Sequence, residues 1–210
     1  LLDFGFNQSF ARNVAYVFSG VRNLQKQGFQ TINQSNISDD LIDYNLLKST
    51  IRAMRFFYSR VAIILFVFLI TLGTVYVYSI LYDYSESKSE VIISWIIVCI
   101  NQSYSLYTLY FESLLYGRGL VKRSNQFVLL GNLMYVIVAV VFLLLGYGLI
   151  AIVSAQFISN LIIRFGASIS FFTKNIKEKL KLADDGDYKN VLSAIYPNAV
   201  KVGLSGLGSF

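Results

Sequence analysis

Four stretches of the chain run long with almost no charge. Positions 61 to 81 carry no charged residue over 21 consecutive places, enough to cross about 30 Å of hydrocarbon at ~1.5 Å per residue. Positions 91 to 116 form a second stretch with one acid, Glu112, followed by 127 to 147 and by 149 to 172, the last interrupted only by Arg164. The pattern predicts four complete helical spans. Gly146-Tyr147-Gly148 alone separates the third from the fourth, so these two form a tight antiparallel hairpin turning at flexible residues. Residues 1 to about 20 read as the inner end of another span. Pro197 suits the first turn of a further helix, where its missing N–H costs nothing. Starting at Leu1 and stopping at Phe210 inside an apolar run, the chain reads as a piece with four whole spans and two partial ones.

Two segments outside the spans have helical periodicity. Ser38 suits an N-cap, Asp39 and Asp40 a first turn, and Arg52 and Arg55 come late, while Tyr44, Leu47, Ile51, Met54 and Tyr58 share one face. An amphipathic helix near 38–58 is expected, leading into the first span and lying at the interface or against the bundle. Residues 173 to 190 combine a basic amphipathic stretch with an acidic turn at Gly186, and read as a solvated linker.

Composition agrees with a membrane protein: 55% of the residues are hydrophobic and 14% charged, against about a quarter charged in a soluble domain. This excludes a disordered, collagen-like or disulfide-scaffold chain. With no His and one Cys, no His-based triad, zinc site or intramolecular disulfide can form, and no metal or cofactor is expected. Cys99 lies in an apolar run, as an inert buried thiol would. The net charge of +6 is patterned. Counts of Lys and Arg in successive connections alternate seven, one, three, none and six. Positive residues favour the cytoplasmic side, which places both chain ends and the 117–126 loop inside and 83–90 outside. Topology accounts for the basic residues, leaving no reason to expect nucleic acid as a partner.

Polar side chains within a span mark faces turned to protein or water. Asn101, Ser105, Thr108 and Glu112 are spaced four, three and four, and Gln156, Asn160, Arg164 and Ser168 recur every four, each set forming one helical face. The third span has no polar side chain from Val136 to Leu145, which suits a lipid-facing helix. A hydrated interior is expected between the polar faces. Arg164 stands eight residues from Phe172, about 12 Å deep, too far for comfortable snorkelling. Arg12 stands eight from Gly20, and Glu112 only about 6 Å in. On the functional reading Arg12 and Arg164 hold an anion in the cavity, with Asn101, Gln102, Ser105, Thr108, Gln156 and Asn160 around it. Glu112 and Asp3 are the candidate counter-charges or ion-coupling acids. On the competing reading an Arg pairs with Glu112 or caps a helix end, Asn101 and Gln102 are interhelical hydrogen-bond partners, and Tyr104, Tyr107 and Tyr110 pack as aromatics rather than stacking on sugars.

A family resemblance is carried by loose motifs in a particular order. Leu2-Asp3-Phe4-Gly5-Phe6, Arg12-Asn13 and Tyr16-Val17-Phe18-Ser19-Gly20 together resemble the second helix of bacterial polysaccharide flippases. Ile42-Asp43-Tyr44-Asn45-Leu46-Leu47 resembles the lead into their third helix, and Leu115-Tyr116-Gly117-Arg118-Gly119 the turn after their fourth. Gly146-Tyr147-Gly148-Leu149 and Ile163-Arg164 resemble their fifth-to-sixth hairpin and sixth helix. The chain thus resembles the O-antigen and capsule exporter branch of the multidrug/oligosaccharidyl-lipid/polysaccharide flippase superfamily.

That resemblance implies an all-α polytopic transmembrane helix bundle forming one lobe of a two-lobe flippase. Residues 1–172 would be a partial N-terminal lobe, 173–196 a cytoplasmic inter-lobe linker, and 197–210 the start of the second lobe. It implies a multi-pass protein of the bacterial inner membrane that makes and breaks no covalent bond. Such a protein moves an undecaprenyl-pyrophosphate-linked oligosaccharide across by alternating access, with membrane lipids, a polysaccharide polymerase and other assembly proteins as further partners. A non-catalytic membrane scaffold would need no aligned polar faces within its spans, and two further alternatives stand beside the flippase reading. One is an ion-coupled exporter of drugs or small molecules on the same fold, which a cationic cavity disfavours for cationic drugs. The other is a membrane-embedded glycosyltransferase or ligase, which calls for a large outer loop bearing acids or His.

Overall fold

The computed structural model describes residues 5–20, 42–82, 88–184 and 186–207, with side chains up to residue 201. Among the described residues every regular element is helical. They are α1 (Phe6–Phe18), α2 (Tyr44–Phe68), a π-helical turn (Leu69–Gly73), α3 (Thr74–Leu81), α4 (Lys88–Tyr107), α5 (Tyr110–Gly117), α6 (Val121–Leu144), α7 (Gly148–Phe171), α8 (Lys174–Leu182) and α9 (Tyr188–Leu207). Four rods, Tyr44–Leu81, Lys88–Gly117, Val121–Leu144 and Gly148–Phe171, are long and apolar enough to cross a membrane. The chain is an all-α, multi-pass membrane protein. Many apolar side chains on these rods are exposed, as at Ile64, Val75, Leu129 and Leu144. Apolar surface of this extent needs lipid or further protein to cover it.

Local chemistry sets the ends of the elements, sometimes away from where the sequence pattern puts them. The amphipathic helix begins at Tyr44, because Asp43 Oδ1 accepts the N–H groups of Asn45 and Leu46 at 2.9 and 3.0 Å and so caps it. The expected cap Ser38, with Asp39 and Asp40, lies outside the described residues, and Ile42 and Asp43 are not helical. The expected apolar face is buried at Leu47, Ile51, Met54 and Tyr58, while Arg52 and Arg55 are exposed.

The second rod is broken at Thr108 and Leu109, where the sequence suggests an uninterrupted span. Thr108 Oγ1 donates to the Tyr104 carbonyl at 2.7 Å, and the Glu112 N–H turns tightly onto the Leu109 carbonyl at 3.0 Å. A hydroxyl bonded back to the preceding turn bends a helix in this way. Pro197 also departs from expectation. It is the tenth residue of α9 rather than lying in a first turn. The helix starts earlier because Asp187 Oδ1 accepts the Lys189 N–H at 2.9 Å. The proline then forfeits one interior bond that packing must offset.

The described residues cluster into two compact units. One comprises those within Leu1–Phe57, Leu109–Ser124 and Ala167–Phe210; the other comprises those within Tyr58–Thr108 and Asn125–Gly166.

In the first unit α1 packs on α5 and α9. Phe6, Phe10, Val14 and Val17 recur at helical spacing and are buried, with Phe6 stacked on Phe57 at 4.0 Å between ring centroids. Gly117 lets α1 and α5 meet, since a Cβ there would lie 2.6 Å from the Ala11 carbonyl oxygen. Ser113 donates a hydrogen bond to Asn7 Oδ1.

In the second unit the hairpin turns at Gly146 and Gly148, with φ of 85° and 48°. Its two arms interlock through glycines: a Cβ on Gly131 would run into the Ile163 side chain, and one on Gly166 into the Phe127 ring. Small residues let membrane helices approach in this manner. Val136, Ile137, Val140, Val141, Leu143 and Leu144 of α6 are exposed, as a lipid-facing wall requires. Across the unit, Trp95 fills the place of a side chain at Gly73 and donates to Thr74 Oγ1 at 3.1 Å.

Candidate functional site

The polar stripe on α7 and that on α4 meet in the second unit. Asn160 Nδ2 donates to Asn101 Oδ1 at 2.7 Å, and Asn101 is only 3% exposed. One turn along α7 from Asn160 comes Arg164, half-buried and within electrostatic reach of Tyr104. Tyr104 also meets Phe157 edge to face, with ring centroids 6.1 Å apart. The stripes therefore bring a part-buried amide pair, a guanidinium and a phenol to one region of apolar helix.

Beside Tyr104 runs an open groove of about 350 Å³ between α2 and α4, lined by Ser59, Ala62, Ile63, Phe66, Ser103, Tyr104 and Tyr107. The Ser103 hydroxyl oxygen is buried, with no hydrogen-bond partner among the described residues. The small pair Ser59 and Ala62, three positions apart on α2, opens the space. That pairing was visible in the sequence, but nothing in it named the partner helix.

The remaining candidates are dispersed. Ser105 is half-buried, and Gln102 and Gln156 are exposed. Thr108 is buried and serves the break in the second rod through its bond to Tyr104. Of the tyrosine line, Tyr110 is buried against Phe111 at 4.2 Å and belongs to packing, while Tyr104 and Tyr107 face the groove. In the first unit Arg12 is exposed on α1 and Glu112 is half-buried on α5. Asp3 lies outside the described residues. Cys99 is a buried free thiol, and among the described residues no cluster of His, Cys, Asp or Glu could hold a metal.

Two functional-looking charges serve helix ends. Arg118 Nη1 donates to the Phe171 carbonyl at 3.3 Å, closing the end of α7, with its guanidinium 6.0 Å from the Phe18 ring. Glu90 Oε1 accepts the Leu149 N–H at 2.6 Å at the opposite end of that helix. An acid at the helix start and a base at its end match the helix dipole. No protein-family model, curated protein or solved structure matches the chain.

Proposed function

We propose that the protein is a membrane flippase that moves a lipid-linked oligosaccharide pyrophosphate across the bilayer without covalent chemistry. The observation that carries the reading is Arg164, a permanent cation half-buried in an apolar rod one turn from the Asn101–Asn160 pair. A cation held at such depth is costly and is kept where it has an anion to meet. A guanidinium suits a pyrophosphate because it stays charged and offers two parallel donors. The groove beside Tyr104 has the size of a small-ligand site and presents two phenol faces on which sugar rings stack. The lipid tail stays in the bilayer, and two lobes rock to expose the head group to either side. In the resemblance set out above, this chain supplies most of one lobe in a multi-pass protein of the bacterial inner membrane.

The test is Arg164→Ala and Arg164→Lys in the full-length protein, followed by the appearance of the lipid-linked glycan on the far leaflet. A lost charge-assisted bond of about 1.5–3 kcal/mol corresponds to roughly a tenfold to hundredfold loss of transfer. Arg164→Lys retains the charge without the paired donors and should fall in between. Normal transfer by a folded Arg164→Ala protein refutes the reading.

A further inference from the structure

The first membrane rod and α4 leave a crevice of about 250 Å³ between them, walled by Ile70, Val77 and Leu81 on one side and by Ile92 and Ile96 on the other. These residues all fall within positions 61–81 and 91–111, which carry no charge, so the crevice lies at the depth of hydrocarbon. It begins where both rods meet the 82–90 connection. From Ile70 to Leu81 the first rod rises about 16 Å, roughly half of a ~30 Å hydrocarbon core. The crevice therefore has the depth of the acyl chains of one leaflet.

Trp95 holds it open. Its ring takes the place of a side chain at Gly73, where a Cβ would lie 2.6 Å from Cζ2, and its Nε1 donates to Thr74 Oγ1 at 3.1 Å. The Thr74 hydroxyl in turn donates to the Leu69 carbonyl at 3.5 Å, five residues back across the π-helical turn. Turns of this kind are frequent at functional sites. Fixed in this way, the indole is a spacer between α3 and α4 with the crevice against it.

The wall chemistry selects the occupant. A further membrane helix packs closely where it finds small residues or polar groups to bond. Here Gly73 is already covered by Trp95, the Thr74 hydroxyl is bonded, and the remaining aliphatic wall is bulky. Tyr78, which also lines the crevice, lies three residues from the end of the rod and is 65% exposed, as an aromatic near the interface is. A slim, flexible hydrocarbon chain fits such a slot, and an empty one forfeits dispersion contacts along both walls. We propose that the crevice is a binding site for one acyl chain of a bilayer phospholipid, which completes the packing of α3 against α4. The connection beyond it holds Asp83, Glu86, Lys88 and Glu90, so nothing there favours an anionic head group. The site stands apart from transport and from the groove at Tyr104.

Trp95 is the only tryptophan of the chain, so its own fluorescence reports on the crevice. The test titrates the whole chain in detergent micelles with phosphatidylcholine brominated on its acyl chains, since bromine quenches indole on contact. Emission should fall and level off at stoichiometric lipid, and unbrominated phosphatidylcholine should restore it. Phosphatidylglycerol with the same brominated chains should quench no better. Val77→Phe and Ile96→Phe each fill the crevice and should lose most of the quenching, with Val77→Leu as a milder filling that tests the same point. Val75→Phe and Ile93→Phe, at exposed positions outside the lining, should keep it. Quenching that rises with lipid without levelling, that depends on an anionic head group, that survives in folded filled variants, or that is absent overturns the proposal. The readout is chain contact rather than glycan transfer, so either reading can fail without the other.

Discussion

The bond between Asn160 and Asn101 separates a packing role from a ligand role for the polar stripes, and a double-mutant cycle measures it. At 2.7 Å, with Asn101 3% exposed, the pair is a direct interhelical bond in apolar surroundings. Bonds of this kind between membrane helices contribute about 0.6 kcal/mol on average and up to ~1.7. Truncating one partner also strands a buried amide, at about 1–3 kcal/mol. Asn101→Ala and Asn160→Ala should each destabilise the protein by roughly 1–2 kcal/mol on those figures. The double variant should cost less than the sum, with a coupling near ~1 kcal/mol. Reversible unfolding in mixed micelles reads these differences directly. Replacing both with leucine removes the stranded groups and should recover most of the stability. Transport then decides the role: a folded Asn101→Leu/Asn160→Leu double variant that still transfers glycan shows the amides to be structural, and one that has lost transfer shows them to meet substrate. Strict additivity of the two alanine variants would refute the bond itself.

Other outcomes follow from the same geometry. Gly131→Val drives a side chain into Ile163 and should cost about 1–3 kcal/mol by overpacking; unchanged unfolding would mean the hairpin arms do not touch there. Glu90→Gln keeps an acceptor for the Leu149 N–H but removes the charge at the start of α7, for a loss of about 0.3–1 kcal/mol that added salt should shrink. For topology, cysteines at Lys122 and Tyr147, both exposed and one span apart, should react with impermeant reagent from opposite sides of the membrane. Ser124 is a poor reporter for that experiment, being 5% exposed.

How much of this was legible in the chain follows from which forces act locally. The four rods, the glycine turn at 146–148, the lipid-facing run of α6 and the buried face Leu47-Ile51-Met54-Tyr58 depend on residue type and period alone, so hydropathy and helical spacing revealed them. Cap positions were harder, because several Asp and Ser residues compete within a few positions; Asp43 accepts the free N–H groups of α2, and Asp187 starts α9 nine residues ahead of Pro197. A single stripe of Asn, Gln, Ser and Thr reads the same whether its members face a cavity or each other. Only the packing of α4 on α7 paired Asn101 with Asn160, and only the nearness of α2 to α4 opened a groove at Tyr104 and Tyr107 while Tyr110 was buried. Periodicity fixes which side of a helix a residue occupies, whereas its partner across a tertiary contact depends on the rotation and approach of a second helix, which are set by distant glycines and aromatics such as Gly131, Gly166 and Trp95.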